Sequence, residues 1–203
     1  MSSWTVESWR AGEVDREGLL GLAELHLSAF PPKGRSREEY ADRLEPEWGR
    51  SASGPPVGGV MFVIREPETG RVIGKAATYE RVIGVDDALT GGGENAVGEN
   101  GEMAMLALAG VASSPDLRGQ GIGEAVVRAS FGRVDSGEFG LSLFQTSHQV
   151  KPFYEQLGCR LVKNEVTDST NPGVPPFEDD VVMVYEGASV LPRGVVDTRG
   201  PGW

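Results

Sequence analysis

Arg118-Gly119-Gln120-Gly121-Ile122-Gly123 is the stretch of this chain whose residue types and spacing best suit chemistry. Glycines at alternate positions let backbone amides approach a ligand with no Cβ atoms in the way. The apolar run Met103 to Ala112 ends just before the stretch, and a helix-like pattern starts inside it and reaches about Val134. A helix starting there points its free N–H groups and the positive end of its dipole at the loop. With an arginine alongside, this is the local design of a diphosphate cradle. A plain strand-to-helix turn would need only one glycine.

Three kinds of diphosphate site compete. A dinucleotide fingerprint wants a third glycine three residues after its second, and that position is Glu124. A carboxylate there would face the pyrophosphate, so this reading, and with it a nucleotide-dependent oxidoreductase, is poor. A P-loop needs Gly-Lys-Ser/Thr, which is absent. The third kind is carried by two segments in order. Val111 to Gly123, with its Arg-Gly-x-Gly-x-Gly core after an apolar strand, resembles motif A of the GNAT acyl-CoA N-acyltransferases. Lys151-Pro152-Phe153-Tyr154-Glu155-Gln156-Leu157-Gly158-Cys159 resembles their motif B.

The resemblance implies coenzyme A, with acetyl-CoA as co-substrate. Its pyrophosphate would lie on Arg118, Gly119, Gln120, Gly121, Ile122 and Gly123, and its pantetheine arm along Val111, Ala112 and Ser113. Charged hydrogen bonds contribute about 1.5–3 kcal/mol each. Three or four, less the cost of ordering, give an affinity on the order of micromolar. Amide formation needs a neutral amine, and deprotonating an ordinary alkylammonium at pH 7 costs roughly 4–5 kcal/mol. It also needs an acid for the leaving thiolate. Tyr154 matches the family's motif B tyrosine and is the candidate acid, with Phe153 as the core aromatic beside it.

The base is open. Where some family members carry a strand glutamate this chain has Ala109. Glu102 at the far end of the same strand, Glu80 on the preceding strand, His148 after the next one, and a water chain are the alternatives. Two fainter likenesses point to amino-sugar acceptors. Ile73 to Arg81, Pro176-Phe177-Glu178-Asp179-Asp180 and the ending Asp197 to Trp203 are similar to aminoglycoside 2'-N-acetyltransferases. The layout and the Pro-rich turn are also similar to nodulation N-acyltransferases. The former likeness implies Asp179, Asp180, Asp197 and Trp203 as acceptor-binding residues. The rival readings are a GNAT-like module that senses acyl-CoA without turnover, and an enzyme using longer acyl donors.

The elements that must position these residues form an α/β layout. We expect a mixed sheet of about seven strands flanked by about four helices, in one GNAT domain over 1–203 with an irregular tail from 187. Strands are expected at 4–9, 57–64, 72–82, 103–112, 139–146, 159–166 and 181–185. Helices are expected at 14–30, from the Ser36/Glu39 capping box to about Leu44, after the glycine loop, and at 149–157. The first half carries a hairpin turning at Glu68-Thr69-Gly70, and the second half needs a parallel strand pair. Asp86 to Asn100 is a Gly-rich acidic loop, either a mobile tip or a lid.

Composition sets limits. With 30 acids against 19 bases and a net charge of −11, the chain is a poor partner for nucleic acid. The acidity mildly favours a cationic small molecule, although solubility alone explains it. Cys159 is the single cysteine, so no internal disulfide is available, and it reads as a small core residue. No leader peptide or membrane-length apolar run is visible, so a cytoplasmic protein with no membrane partner is expected. No metal is expected, and a homodimer is compatible with the sequence.

Overall fold

The computed structural model describes residues 4–30, 34–86, 101–179 and 181–203. It is a mixed α/β fold with a mixed sheet and four helices. Its elements are β1 (Glu7–Arg10), α1 (Arg16–Ala29), α2 (Arg37–Trp48), β2 (Val60–Arg65), β3 (Val72–Asp86), β4 (Glu102–Ser113), a 3-10 turn at Pro115–Leu117, α3 (Ile122–Asp135), β5 (Leu141–Thr146), α4 (Lys151–Gln156), β6 (Arg160–Leu161), β7 (Val166–Thr167), β8 (Val181–Glu186) and β9 (Val195–Asp197). The chain divides into two compact units, residues 1–79 with 110–130, and residues 80–109 with 131–203. The loop reading at Asp86 to Asn100 falls, from residue 87 on, outside the described residues.

In the first unit, Asp15 caps α1 by accepting from the Gly18 N–H at 2.9 Å. The helix buries Leu19, Leu22 and Leu25, each contributing roughly 2 kcal/mol. The capping box at α2 is present in both directions, at 3.1 Å and 2.8 Å. This helix continues past Leu44 to Trp48 despite Pro46. Trp48 is buried and its carbonyl accepts from Gly12 and Val14 (both 3.1 Å), which fixes the last turn against the N-terminal segment. β2 and β3 form the expected antiparallel hairpin, and β1 adds antiparallel to β2 from Glu7 rather than Trp4. The Ser114 N–H reaches the Ile73 carbonyl at 2.8 Å, tying the end of β4 to the start of β3.

In the second unit, β4 and β5 make the expected parallel pair, at Leu106–Ser142 and Ala107–Leu143. β8 pairs antiparallel with β5, and β6 with β8. The single strand expected at 159–166 is instead two short ones. β6 follows β8, whereas β7 pairs with β9, and between them the Asn164 amide is drawn to the carbonyls of Pro192 (2.8 Å) and Gly194 (2.7 Å). The tail is not wholly irregular, because β9 pairs with Gly84 to Asp86. That pairing carries β3 four residues past its expected end at Val82.

Candidate functional site

The glycine loop lies in the first unit. Gly119 and Gly121 have φ of +79° and +80°, and a Cβ on either would meet no atom within 4 Å. The glycines therefore serve a left-handed backbone facing open space, and packing does not require them. α3 starts at buried Ile122, and its first internal bond runs from the Ala125 N–H to the Gly121 carbonyl at 2.9 Å. The amides of Ile122, Gly123 and Glu124 precede that bond and have no helical partner. Arg118 is exposed and forms no ion pair among the described residues. Glu124, the residue that spoils a dinucleotide site, is turned along the helix to Arg128 at 2.8 Å.

The loop is held from both sides. Asp116 accepts from the Ser114 hydroxyl (2.5 Å) and from Arg71 (3.0 Å), and these two partners hold its carboxyl down at about 2. The Trp4 indole N–H donates to the Gln120 carbonyl at 2.8 Å. Val111, Ala112 and Ser113 form the last residues of β4, just after Gly110, whose φ of +57° kinks the strand.

Tyr154 lies in the second unit, on α4, with Pro152 in the first turn. The two aromatics exchange the environments expected for them. Tyr154 is 5% exposed, while Phe153 is only half-buried. The Tyr154 ring packs at 4.6 Å on Phe144 and edge-on to Phe153 at 5.0 Å. Burial, helped by Cys159, pushes its hydroxyl pKa above the ordinary value, so it keeps its proton at neutral pH. Cys159 is itself buried, with its thiol pushed up to about 12, as a core cysteine should be.

The remaining candidates separate. Glu102 is ion-paired with Arg199. His148 is exposed on the turn before α4, and Glu80 is half-buried on β3. Asp179 and Trp203 are brought together by Gln145, which the sequence did not single out. Gln145 accepts from the Asp179 N–H at 3.0 Å and donates to the Trp203 carbonyl at 3.2 Å. The Trp203 indole donates to Leu143 at 3.0 Å, its ring meets Phe177 edge-on at 5.0 Å, and the Arg81 guanidinium lies over it at 5.0 Å. Asp179 also borders a cavity of about 340 Å³ lined by Val162, Asn164, Pro176, Phe177 and Val182. Asp197 does not join this group. Burial works against its charge, but bonds from the Ser169 N–H (2.9 Å) and Arg199 N–H (3.0 Å) hold its carboxyl below the usual range. Asp180 lies outside the described residues.

Sequence reasoning missed Lys75. It stands in β3 opposite Val63, within the apolar run Val72 to Thr78, and is 3% exposed. Burial pulls its ammonium down to about 8. A single lysine inside a strand buried on both faces was the signal.

No family model matches the chain, and no curated protein matches it by sequence. Solved structures do match. A GNAT family N-acetyltransferase of Escherichia coli, in complex with coenzyme A, superposes with a TM-score of 0.59 at 17% identity, covering 98% of this chain and 92% of that one. An acetyltransferase of Corynebacterium glutamicum related to a histone acetyltransferase gives 0.57 at 18%, covering 93% and 99%. A glucosamine-6-phosphate N-acetyltransferase of Arabidopsis thaliana gives 0.52 at 18%, covering 86% and 99%. The chain therefore has the fold of the GNAT acetyltransferases.

Proposed function

We propose that this chain is an N-acyltransferase that moves an acyl group, acetyl in the simplest case, from coenzyme A to a primary amine of a small molecule. One observation carries the reading: an open, left-handed glycine loop leads into the N-terminus of α3, with Arg118 beside it forming no ion pair among the described residues. Those residues fit a pyrophosphate, since they offer uncommitted amides, a helix dipole and a cation without steric obstruction. Val111 to Ser113 supply strand backbone for the pantetheine arm. Tyr154 is the proposed acid for the thiolate, because its buried hydroxyl keeps its proton at neutral pH. Glu102 is held by Arg199, and the proton acceptor is taken from Glu102, Glu80, His148 and water. Amino sugars belong among the acceptors to be tried, with Asp179 beside Trp203 as the acidic group available to an ammonium. The whole of 1–203 acts as one catalytic domain in this reading.

The test is thiol release from acetyl-CoA over aminoglycosides, polyamines, glucosamine, amino acids and peptide N-termini, with coenzyme binding followed by calorimetry. Binding with release is the expected result. Binding without release under any amine would make the chain an acyl-CoA sensor. Stabilisation by NAD and none by acetyl-CoA would overturn the coenzyme assignment.

A further inference from the structure

The chain has eleven more negative than positive formal charges, yet no carboxylate pairs with Lys75 among the described residues. A buried ammonium is ordinarily paired or neutralised. The groups around it cannot do this. From α2, Tyr40 offers its ring, with the ammonium 5.9 Å from the centroid. From α1, His26 stacks on Tyr40 at 4.3 Å. Burial, then Lys75 and Arg43, push the His26 imidazole down to about 4, so it is neutral at pH 7, and its buried Nδ1 has no hydrogen-bond partner among the described residues. Arg43, which acts electrostatically on His26 and Tyr40, and Arg35, which acts on Tyr40, also form no ion pair among the described residues. Of these cations only Lys75 is buried, since Arg43 and Arg35 are exposed. The ammonium has an outlet at the exposed Gly110, where it lies 4.0 Å from the position a Cβ would take. Gly110 directly precedes Val111 to Ser113, the segment proposed above for the pantetheine arm.

We propose that Lys75 binds an anionic group of the acceptor, so that the acceptor is a small amine bearing a carboxylate or phosphate, in contrast to a polycation. The proposal rests on the acyltransferase reading for the word acceptor, but the anion site itself stands apart from it. The left-handed Gly110 leaves the approach open, and a side chain there would be both strained and in the way. Tyr40 and neutral His26 supply a weakly polar wall, in which an ion pair with Lys75 is screened less than in water.

Two arms test this. The first is thermal unfolding of the full chain with inorganic phosphate and with acetate at pH 7. Either anion should raise the Tm of the wild type saturably, and neither should do so for Lys75→Met or Lys75→Gln. The unbranched Met side chain suits the buried position, so that variant is expected to fold. Absence of saturable stabilisation, or its persistence in both variants, overturns the anion site. The second arm is thiol release with matched amines: glycine against glycinamide, and 2-aminoethyl phosphate against ethanolamine. The anion-bearing member of at least one pair should lead by about tenfold or more in kcat/KM, as a charged hydrogen bond allows. Lys75→Met should erase the lead through KM for the acceptor while KM for acetyl-CoA stays put. Which pair responds separates carboxylate from phosphate. Equal rates within both pairs, or preference for a polyamine, overturn the proposal. If no amine supports thiol release, the acyltransferase reading falls, and the first arm then decides the anion site alone.

Discussion

At the scale of single residues, burial sets the chemistry of Lys75 and Tyr154 in opposite directions. The lysine's folded pKa lies below its unfolded value, so the unfolded chain binds more protons between about pH 8 and pH 10.5. The penalty of burying the charge is therefore fully present below pH 8 and is relieved as pH rises through that window. Lys75→Met should stabilise the protein at pH 7 by up to roughly 3 kcal/mol, and the gain should vanish above about pH 10.5. Urea unfolding of both proteins across that range checks the slope. A gain that stays constant with pH would mean that packing, and not charge, is responsible. Tyr154 is read differently. Its burial keeps the proton on, and its acid role is a proposal that Tyr154→Phe isolates, because only the hydroxyl is lost. The variant should lower kcat by about 10²-fold or more with little change in acetyl-CoA affinity. An unchanged kcat would return Tyr154 to the core it visibly belongs to, beside Phe144.

At the scale of elements, the glycine loop makes a sharper claim than the strands around it. Gly121→Ala tests conformation alone, since a Cβ there meets nothing but sits at φ +80°. It should cost about 1 kcal/mol of stability and leave coenzyme binding weakened but measurable. Gly121→Asp adds a negative charge at the proposed pyrophosphate and should abolish binding by calorimetry. If the aspartate variant binds as the alanine variant does, the phosphate lies elsewhere. Periodicity and capping made most elements readable. The leucines of α1, the Ser36–Glu39 box and the hairpin around Gly70 are all set by local pattern. What local pattern could not supply was pairing. Nothing between Cys159 and Val166 says that β6 will follow β8 while β7 follows β9, and nothing at Val82 says that a strand from the tail will lengthen β3. Trp48 carried α2 beyond its expected end for the same reason: the contacts that hold it are made by Gly12 and Val14, far away in sequence.

At the scale of the whole molecule, the candidate site was legible to the extent that it is made of backbone. The glycine loop depends on which residues lack a Cβ, and that is written in the sequence. The Gln145 bridge between Asp179 and Trp203, and the buried Lys75 at the Tyr40 ring, depend on side chains meeting from distant segments, which one sequence does not display. Net charge is the one global property available from composition, and it sharpens the acceptor question. First appearances favour a cationic acceptor for a chain of charge −11. The buried Lys75, which forms no ion pair among the described residues, favours an anionic one locally. The two views predict opposite salt effects on encounter. An anionic acceptor approaches against the global field, and raising ionic strength from 0.01 M to 0.15 M shortens the screening length from about 30 Å to about 8 Å. Its kcat/KM should therefore rise with sodium chloride over that range, since the long-range repulsion is screened while the buried contact at Lys75 is screened much less. A polyamine or aminoglycoside acceptor should show a fall, because steering by the acidic surface would be lost. Measuring kcat/KM for the acceptor at saturating acetyl-CoA separates this from salt effects on the coenzyme. A fall for every accepted amine would mean that the acidic surface, and not Lys75, chooses the substrate.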